Sequence, residues 1–420
     1  MCEAFEKLKA MPEYGGGYNS LTPGHANEIS QEQYKQLVAD HIMFKDMAAD
    51  PYLASAGIAS DWPYGRGCYV SEDRGFVIWV GEEDHLRIMC MKKGTLLNDV
   101  FDRLKTALDV VSGIEGLSFA RSPDYGVVTS CPTNLGTGMR ASVHIPIPKL
   151  TADGTDAKAK EVCKPLGLSV RGIGGEHTPI GEGGVCDISP RARFCITEAE
   201  IICALYKGIK LLKEKENELA SGGGAGAGQD LSSDEGVAAR VGAIQKSNPE
   251  NRMAKHFDVE YYKGLGDDEK KGLVQCCRSG LENPDSSMGC YAMQPADYDR
   301  FKPFFSKVIA DYHGVSVDAK HVNNWDLDSV EGLPEGGKLD LEALGLPALS
   351  MRVRVGRNLA DFPLPGAMTQ EDRVKLESKV CDVCDVCDEC DECDECDEYV
   401  FWESGGGRRG QVVVGTGWGG

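Results

Sequence analysis

The chain has 420 residues, a formal net charge of −21, 17 cysteines and 8 histidines. Its length leads us to expect two domains, and an acidic balance without a basic stripe argues against a nucleic-acid partner. No run of 18 apolar residues occurs, so no membrane span is expected, and the opening Met1-Cys2-Glu3-Ala4-Phe5-Glu6-Lys7 is too charged for a secretory signal.

In chain order, Gly75–Gly81 (Gly-Phe-Val-Ile-Trp-Val-Gly) reads as a buried strand. It runs into Glu82-Glu83-Asp84-His85-Leu86-Arg87-Ile88-Met89, where His85, Arg87 and Met89 share one face. Residues 131–144 place the proline-flanked Cys131 in a loop that feeds a strand. From Arg140 the pattern alternates: Arg140, Ser142 and His144 point one way, while Ala141, Val143, Ile145 and Ile147 point the other. A strand serving only a core has no use for that guanidinium. Val170–Thr178 is a glycine-rich loop holding Arg171 and Glu176.

The spacing predicts a helix from about Thr197 to Glu216, opened by the capping-box pattern Thr197-Glu198-Ala199-Glu200 and buried through Ile201, Ile202, Leu205, Ile209 and Leu212. After Ala220, Ser-Gly-Gly-Gly-Ala-Gly-Ala-Gly has linker composition; no strand precedes it, which excludes a dinucleotide fingerprint. Pro295–Gly314 sets Tyr298, Phe301, Phe305, Val308 and Tyr312 at helical spacing, a core stripe. Gly332–Lys338 has Walker A spacing, but Leu339 stands where Ser or Thr is required. Ser350-Met351-Arg352-Val353-Arg354 alternates and puts both arginines on one side of a strand. Residues 381–398 repeat Cys-Asp-Val or Cys-Asp-Glu every three residues. Thiolates at that spacing can share a zinc, but equivalent ligands without a histidine or a core read as low-complexity sequence.

Planar guanidiniums bind phosphate oxygens bidentately, and several aimed at one point neutralise a polyphosphate. Carboxylates such as Glu83 and Glu176 suit the opposite task, gripping a cation. Taken singly, each arginine reads as a solvated surface residue, each cysteine as a small buried hydrophobe and each histidine as structural. The segments Glu-Glu-Asp-His-Leu-Arg-Ile, Cys-Pro-Thr-Asn-Leu-Gly-Thr, Arg-Ala-Ser-Val-His and Arg-Gly-x-x-Gly-Glu-His-Thr together resemble, in order and spacing, motifs of the phosphagen kinases. These are the ATP:guanidino phosphotransferases that include arginine kinase and creatine kinase. The resemblance covers about residues 1–216 and 252–380, with arginine kinase nearest.

The resemblance implies an α+β fold: a catalytic domain with a large antiparallel sheet flanked by helices, plus a small all-α domain. The family places the small domain first; here the order is reversed. The expected segments are a catalytic domain over 1–216, a Gly/Ser-rich linker over 217–251 and a small helical domain over 252–345. The start of a catalytic domain with its Arg-Val-Arg strand follows over 346–380, then a low-complexity tail over 381–420. A circular permutation or one register of a tandem array explains this order, and the array needs no new topology. The arginine strand must then return across the linker or come from another copy.

The implied reaction is in-line transfer of the γ-phosphoryl of ATP, carried with Mg²⁺, to a guanidino nitrogen. Glu83, Cys131, Glu176, Arg87 and Arg140 would be catalytic, with Cys131 a thiolate. ATP would meet Ser350, Arg352, Arg354, His41, Arg87, the run Arg140, Ala141, Ser142, Val143 and His144, and the run Arg171, Gly172, Ile173, Gly174, Gly175 and Glu176. The guanidine would meet Ser286, Ser287, Met288, Gly289 and Tyr291 together with Glu83, Cys131 and Glu176. Ser287, Met351 and Gly174 depart from the family pattern. Arginine leads as substrate, and the irregular spacing of cysteines before the tail suits a reducing, cytoplasmic setting. A homo-oligomer or tandem copy is the expected partner. A kinase for arginine side chains in proteins and a non-catalytic nucleotide-binding remnant stay open.

Overall fold

The computed structural model describes residues 8, 10–114, 116–151, 155–172, 180–216, 234–334 and 337–381. The Cys/Asp/Glu repeat beyond Cys381 and the glycine-rich run after Ala220 lie outside these residues. The described residues form one compact unit.

Among the described residues, eight strands make one sheet: β1 (Gly16–Ser20), β2 (Gly67–Ser71), β3 (Phe76–Val80), β4 (Leu86–Gly94), β7 (Met139–Pro146), β8 (Leu168–Arg171), β9 (Val185–Pro190) and β10 (Leu349–Arg357). A small separate hairpin pairs β5 (Arg121–Ser122) with β6 (Gly126–Val127). The sheet order is β1-β2-β3-β4-β10-β7-β9-β8, and every neighbouring pair is antiparallel. The last of the described strands is therefore central in the sheet. Its pairing runs from Leu349↔Gly94 to Arg357↔Leu86 on one side and from Ser350↔His144 to Val355↔Met139 on the other.

Period-two alternation gives the sheet one apolar face. Ile88, Cys90, Val353, Val355, Ala141, Val143 and Ile188 lie on it, essentially inaccessible to solvent. Leu97, Val100, Phe101, Leu104, Ala107, Leu108 and Val111 of one covering helix meet this face, as do Ile201, Ile202, Leu205, Ile209 and Leu212 of another. The first sequence-expected helix thus buries the predicted residues, and its N-terminus closes the predicted box: Thr197 N donates to Glu200 Oε2 at 2.7 Å and Glu200 N to Thr197 Oγ1 at 3.2 Å.

The helices flanking the sheet are α1 (Gln31–Ala39), α2 (Pro51–Ser55), α3 (Leu97–Ser112), α4 (Ala157–Cys163) and α5 (Glu198–Glu216). A second apolar cluster gathers α6 (Asp234–Ser247), α7 (Arg252–His256), α8 (Val259–Gly264), α9 (Asp267–Glu282), α10 (Asp297–Arg300) and α11 (Lys302–His313). Residues 234–247 were expected as linker; Val237, Val241 and Ile244, spaced four and three apart, instead bury one face of α6 in this cluster. The aromatic stripe of 295–314 is also core, but it is split in two at Phe301. Pro303, at the second position of α11, has no N–H to continue the ladder of α10. Helix α12 (Gln370–Cys381) returns to the sheet, where Leu376 and Val380 join Leu8 in the main core.

Candidate functional site

Residues opposite one another on antiparallel strands share a face. On β10, Arg354 stands between Met89 and Arg140, Arg352 between Met91 and Ser142, and Ser350 between Lys93 and His144. His144 in turn faces Asp187 on β9, and Asp187 faces Arg171 on β8. Gly356 is opposite Arg87. The alternation read from three separate stretches of sequence therefore becomes one surface carrying Arg87, Arg140, Arg171, Arg352 and Arg354. Gly172 is buried beside Arg171. Ala141 and Val143 point their side chains to the core face, so only their backbones border this surface, and those backbones serve the β10 ladder. Ile173, Gly174, Gly175 and Glu176 lie outside the described residues.

Like charges directly opposite one another repel, and Arg354 and Arg140 are such a pair. Asp187 is the counterweight. Its Oδ2 lies 2.8 Å from Arg140 Nη2 and 3.8 Å from Arg352 Nη2, with both Asp187 and Arg140 buried. Burial opposes ionisation of Asp187, but Arg140, Arg352 and His144 outweigh it and hold its carboxyl below the usual range. Burial, followed by neighbouring guanidiniums, lowers Arg352 to about 10 and depresses Arg354 strongly. A surface of this kind favours a multivalent anion, which relieves the repulsion. His144 is lowered by burial, with Arg352, Arg140 and His41 adding to it against Asp187. His41 itself is exposed, in a left-handed conformation (φ 59°) just after α1.

At one end of the guanidinium surface the charge reverses. Arg87 Nη2 lies 2.8 Å from Glu82 and 3.1 Å from Glu83, and its guanidinium sits 5.3 Å from the Trp79 ring centre. Asn134 Nδ2 donates to Glu83 Oε2 at 3.3 Å. Burial pushes the Glu83 carboxyl up to about 7, with Glu82 and Asp84 adding to it and Arg87 opposing. Cys131 is 4% exposed, its thiol 3.0 Å from the Thr133 hydroxyl. Burial and then the Glu83 carboxylate push this thiol well above its ordinary value. In the free protein both burial and the neighbouring carboxylate thus act against the thiolate that the resemblance implies.

The loop 286–291 reaches the same place from the helical side. Ser286 Oγ accepts from Gly289 N at 3.0 Å, and the carbonyls of Ser287 and Met288 accept from the backbone N–H groups of Arg252 and Met253. Gly289 has φ 76°, and a Cβ there would approach Met253 Cβ to 2.9 Å and Asn251 Oδ1 and Gly280 Cα to 3.0 Å each. Burial raises Tyr291 strongly, with Cys131 and Glu83 adding to it. Ala292 N donates to Ser130 O at 2.9 Å, so the chain next to Tyr291 is bonded to the chain next to Cys131.

Three contributors were missed in the sequence. Asp187 interrupts the apolar run Val185-Cys186-Asp187-Ile188, a signal that was present. His313 gave no signal: its Nδ1 accepts from Arg193 N and Phe194 N at 3.3 Å each, so its Nε2–H donates to Pro132 O at 3.1 Å. It joins α11 to the Cys131 loop. Asn358, just past β10, is the third.

A family model described as ATP:guanido phosphotransferase, C-terminal catalytic domain, matches residues 2–219, and one described as ATP:guanido phosphotransferase, N-terminal domain, matches residues 247–310. An arginine kinase of Anthopleura japonica is 35% identical over 358 residues, covering 84% of this chain and 46% of its own. A taurocyamine kinase of Schistosoma mansoni is 33% identical over 373 residues, covering 88% of this chain and 48% of its own. A solved structure of the duplicated taurocyamine kinase from Schistosoma mansoni aligns at 30% identity over 74% of this chain and 42% of that chain, with a TM-score of 0.44. The chain thus spans about half the length of the two curated relatives.

Proposed function

The chain belongs to the ATP:guanido phosphotransferase family, and from that premise we propose that it transfers the γ-phosphoryl group of Mg-ATP reversibly to a guanidino nitrogen. The observation that carries this reading is the guanidinium surface of Arg87, Arg140, Arg352 and Arg354 ending at Glu83 and Cys131. Phosphoryl transfer needs little covalent help from a protein; positioning and charge stabilisation carry most of it. The arginines hold the phosphates and stabilise the charge spread over the transferring oxygens. Arg171, Ser350 and His144 extend this surface across the sheet, and His41 sits toward the nucleoside. Mg²⁺ enters as part of the nucleotide substrate.

Glu83 and Glu176 align the substrate guanidinium, and one of them accepts its proton. A cation docked between Glu83 and Cys131 would reverse both of their upward shifts, favouring the carboxylate and the thiolate together. Arginine is our first choice of substrate, with Tyr291 and the loop Ser286, Ser287, Met288 and Gly289 at the guanidine end; taurocyamine follows. The bond from Ala292 N to Ser130 O, which ties the end of that loop to the Cys131 segment, favours a small guanidine over a protein side chain. Residues 1–216 and 346–380 would make up the catalytic part, and 252–345 the small helical domain. Each of the two relatives aligns collinearly along more than four-fifths of this chain with less than half of its own length, which supports the tandem-array reading of the order. The cysteines from Cys68 to Cys290 are thiols rather than disulfides, which supports a cytoplasmic setting.

The test is ADP release from Mg-ATP with a panel of guanidines including arginine and taurocyamine, using Arg87→Ala as the control. Guanidine-dependent turnover abolished in the variant supports the proposal; a folded chain that releases no ADP with any guanidine overturns it. The pH profile adds a second check. With its carboxyl at about 7, Glu83 is mostly protonated below neutrality and can neither grip a cation nor accept a proton. The guanidine kcat/KM should therefore rise through an acid limb centred near that value and level off above it, and Glu83→Gln should flatten the limb.

A further inference from the structure

We propose that Asp84 and Asn358 form a positioning pair that sets Glu83, Cys131 and the Tyr291 loop in register with one another. This inference rests on the phosphotransferase reading and adds to it residues that touch neither substrate.

Asn358 has no exposed surface, and both ends of its amide are used. Its Oδ1 accepts from His85 N at 2.8 Å; its Nδ2 donates to Asp84 Oδ1 at 2.7 Å and to Val128 O at 3.1 Å. The same Asp84 oxygen accepts from Ser130 N at 2.8 Å. The other oxygen of Asp84 lies against β10, where a Cβ on Gly356 would approach it to 2.5 Å. Only glycine at 356 leaves room for the pair. The His85 ring completes the hub: its Nδ1 accepts from Leu359 N at 2.8 Å, and its Nε2–H donates to Pro363 O at 2.8 Å.

Three chain segments remote in sequence are thus tied at one buried point: the turn into β4, the approach to Cys131, and the exit from β10. The helical side is tied to the same peptide. Ser130 O accepts from Ala292 N at 2.9 Å, and Thr129 O accepts from the Tyr298 hydroxyl at 2.9 Å. Each reactive-end residue sits one position from a tied one: Glu83 before Asp84, Cys131 after Ser130, Tyr291 before Ala292. Shifting the pair displaces all three together. Three of the phosphate arginines, Arg140, Arg352 and Arg354, are held by something else, the two β10 ladders and Asp187. That separation is what the test reads, because a misplacement of about 1 Å costs on the order of a hundredfold in rate.

The experiment compares the full chain with Asn358→Asp and Asp84→Asn. Asn358→Asp sets two carboxylates against each other and removes the donor to Val128 O; Asp84→Asn keeps an oxygen that accepts from both Asn358 Nδ2 and Ser130 N. Asn358→Asp should lower kcat about 30- to 100-fold and raise the guanidine KM, with the ATP Kd changed by less than about twofold, while Asp84→Asn should stay within about threefold of the unaltered chain. An Asp84→Asn variant as poor as Asn358→Asp, or an ATP Kd that rises in step with the guanidine KM, overturns the pairing. Backbone hydrogen exchange at Ser130 is measured in parallel and needs no turnover. It should quicken about tenfold or more in Asn358→Asp and change little in Asp84→Asn; unchanged exchange in Asn358→Asp overturns the pairing. If the unaltered chain releases no ADP with any guanidine, the phosphotransferase reading has failed, and the exchange pattern alone decides the pair.

Discussion

Arg354→Ala should lower kcat/KM for Mg-ATP by about a hundred- to a thousandfold while leaving the fold at least as stable as before. The two halves of this expectation come from one fact. Arg354 stands directly opposite Arg140 and two residues from Arg352 on the same face, with Arg87 close by. Burial and these three guanidiniums depress it strongly, so the folded protein holds its charge at a disadvantage. Removing it relieves repulsion in the free protein and removes attraction in the complex with a polyphosphate. Arg140→Ala is the informative contrast. It is buried against Asp187 at 2.8 Å, and its loss leaves a carboxylate that is 1% exposed with only the more distant Arg352, at 3.8 Å, to balance it. Removing one partner of a buried pair typically costs about 3–5 kcal/mol, so this variant should lose both activity and stability. Denaturant melts beside steady-state kinetics separate the two: a large loss of stability in Arg354→Ala, or none in Arg140→Ala, would contradict this account of the surface.

Val353→Asp is expected to unfold the entire sheet-bearing part of the protein. Val353 is 1% exposed, pairs with Cys90 on β4 and Ala141 on β7, and projects into the main core. A carboxylate there has no partner, and burying it costs more than about 4 kcal/mol, a large fraction of the stability of an ordinary domain. Because β10 is central, its loss opens two sheet edges at once and separates β4 from β7. Circular dichroism and a denaturant melt would measure this, and a cooperative transition at the original midpoint would show that β10 does not bind the two halves together. Ser350→Asp, at the exposed start of the same strand, serves as the control, with little change in the melt.

Much of the site was legible before any fold was known, because period-two alternation assigns faces without needing neighbours. Arg140, Ser142 and His144 against Ala141 and Val143, and Arg352 and Arg354 against Val353, fall on the two faces of the sheet as the pattern requires. The helix opened by Thr197 and Glu200 was legible for the same kind of reason, since a capping box is a local hydrogen-bond pattern. The segment 234–247 was not. Its neighbouring glycine-rich composition suggested a linker, whereas three aliphatic residues and tertiary packing make it a helix. Tertiary burial overrides a weak local signal.

The protonation state of Cys131 was the other departure, and it shows where local reading stops. The thiolate was implied by the family resemblance, and the Thr133 hydroxyl does pull the thiol downward. Burial and a carboxylate brought in from the turn before β4 pull harder in the opposite direction. Neither force is visible in the residues around Cys131.

The sequence by itself determined which residue types alternate, where the helices cap, and which arginines, carboxylates and thiol the chain has available, because these depend on separations of a few residues. Only the tertiary structure decided that the last strand lies between β4 and β7, so that arginines about 265, 210 and 180 residues apart in the chain share one face. It also decided that Asp187 balances them and that Asp84 and Asn358 tie the carboxylate end together. Long-range pairing is set by which edges find partners and which charges find counter-charges, and no window of sequence contains both sides of that match.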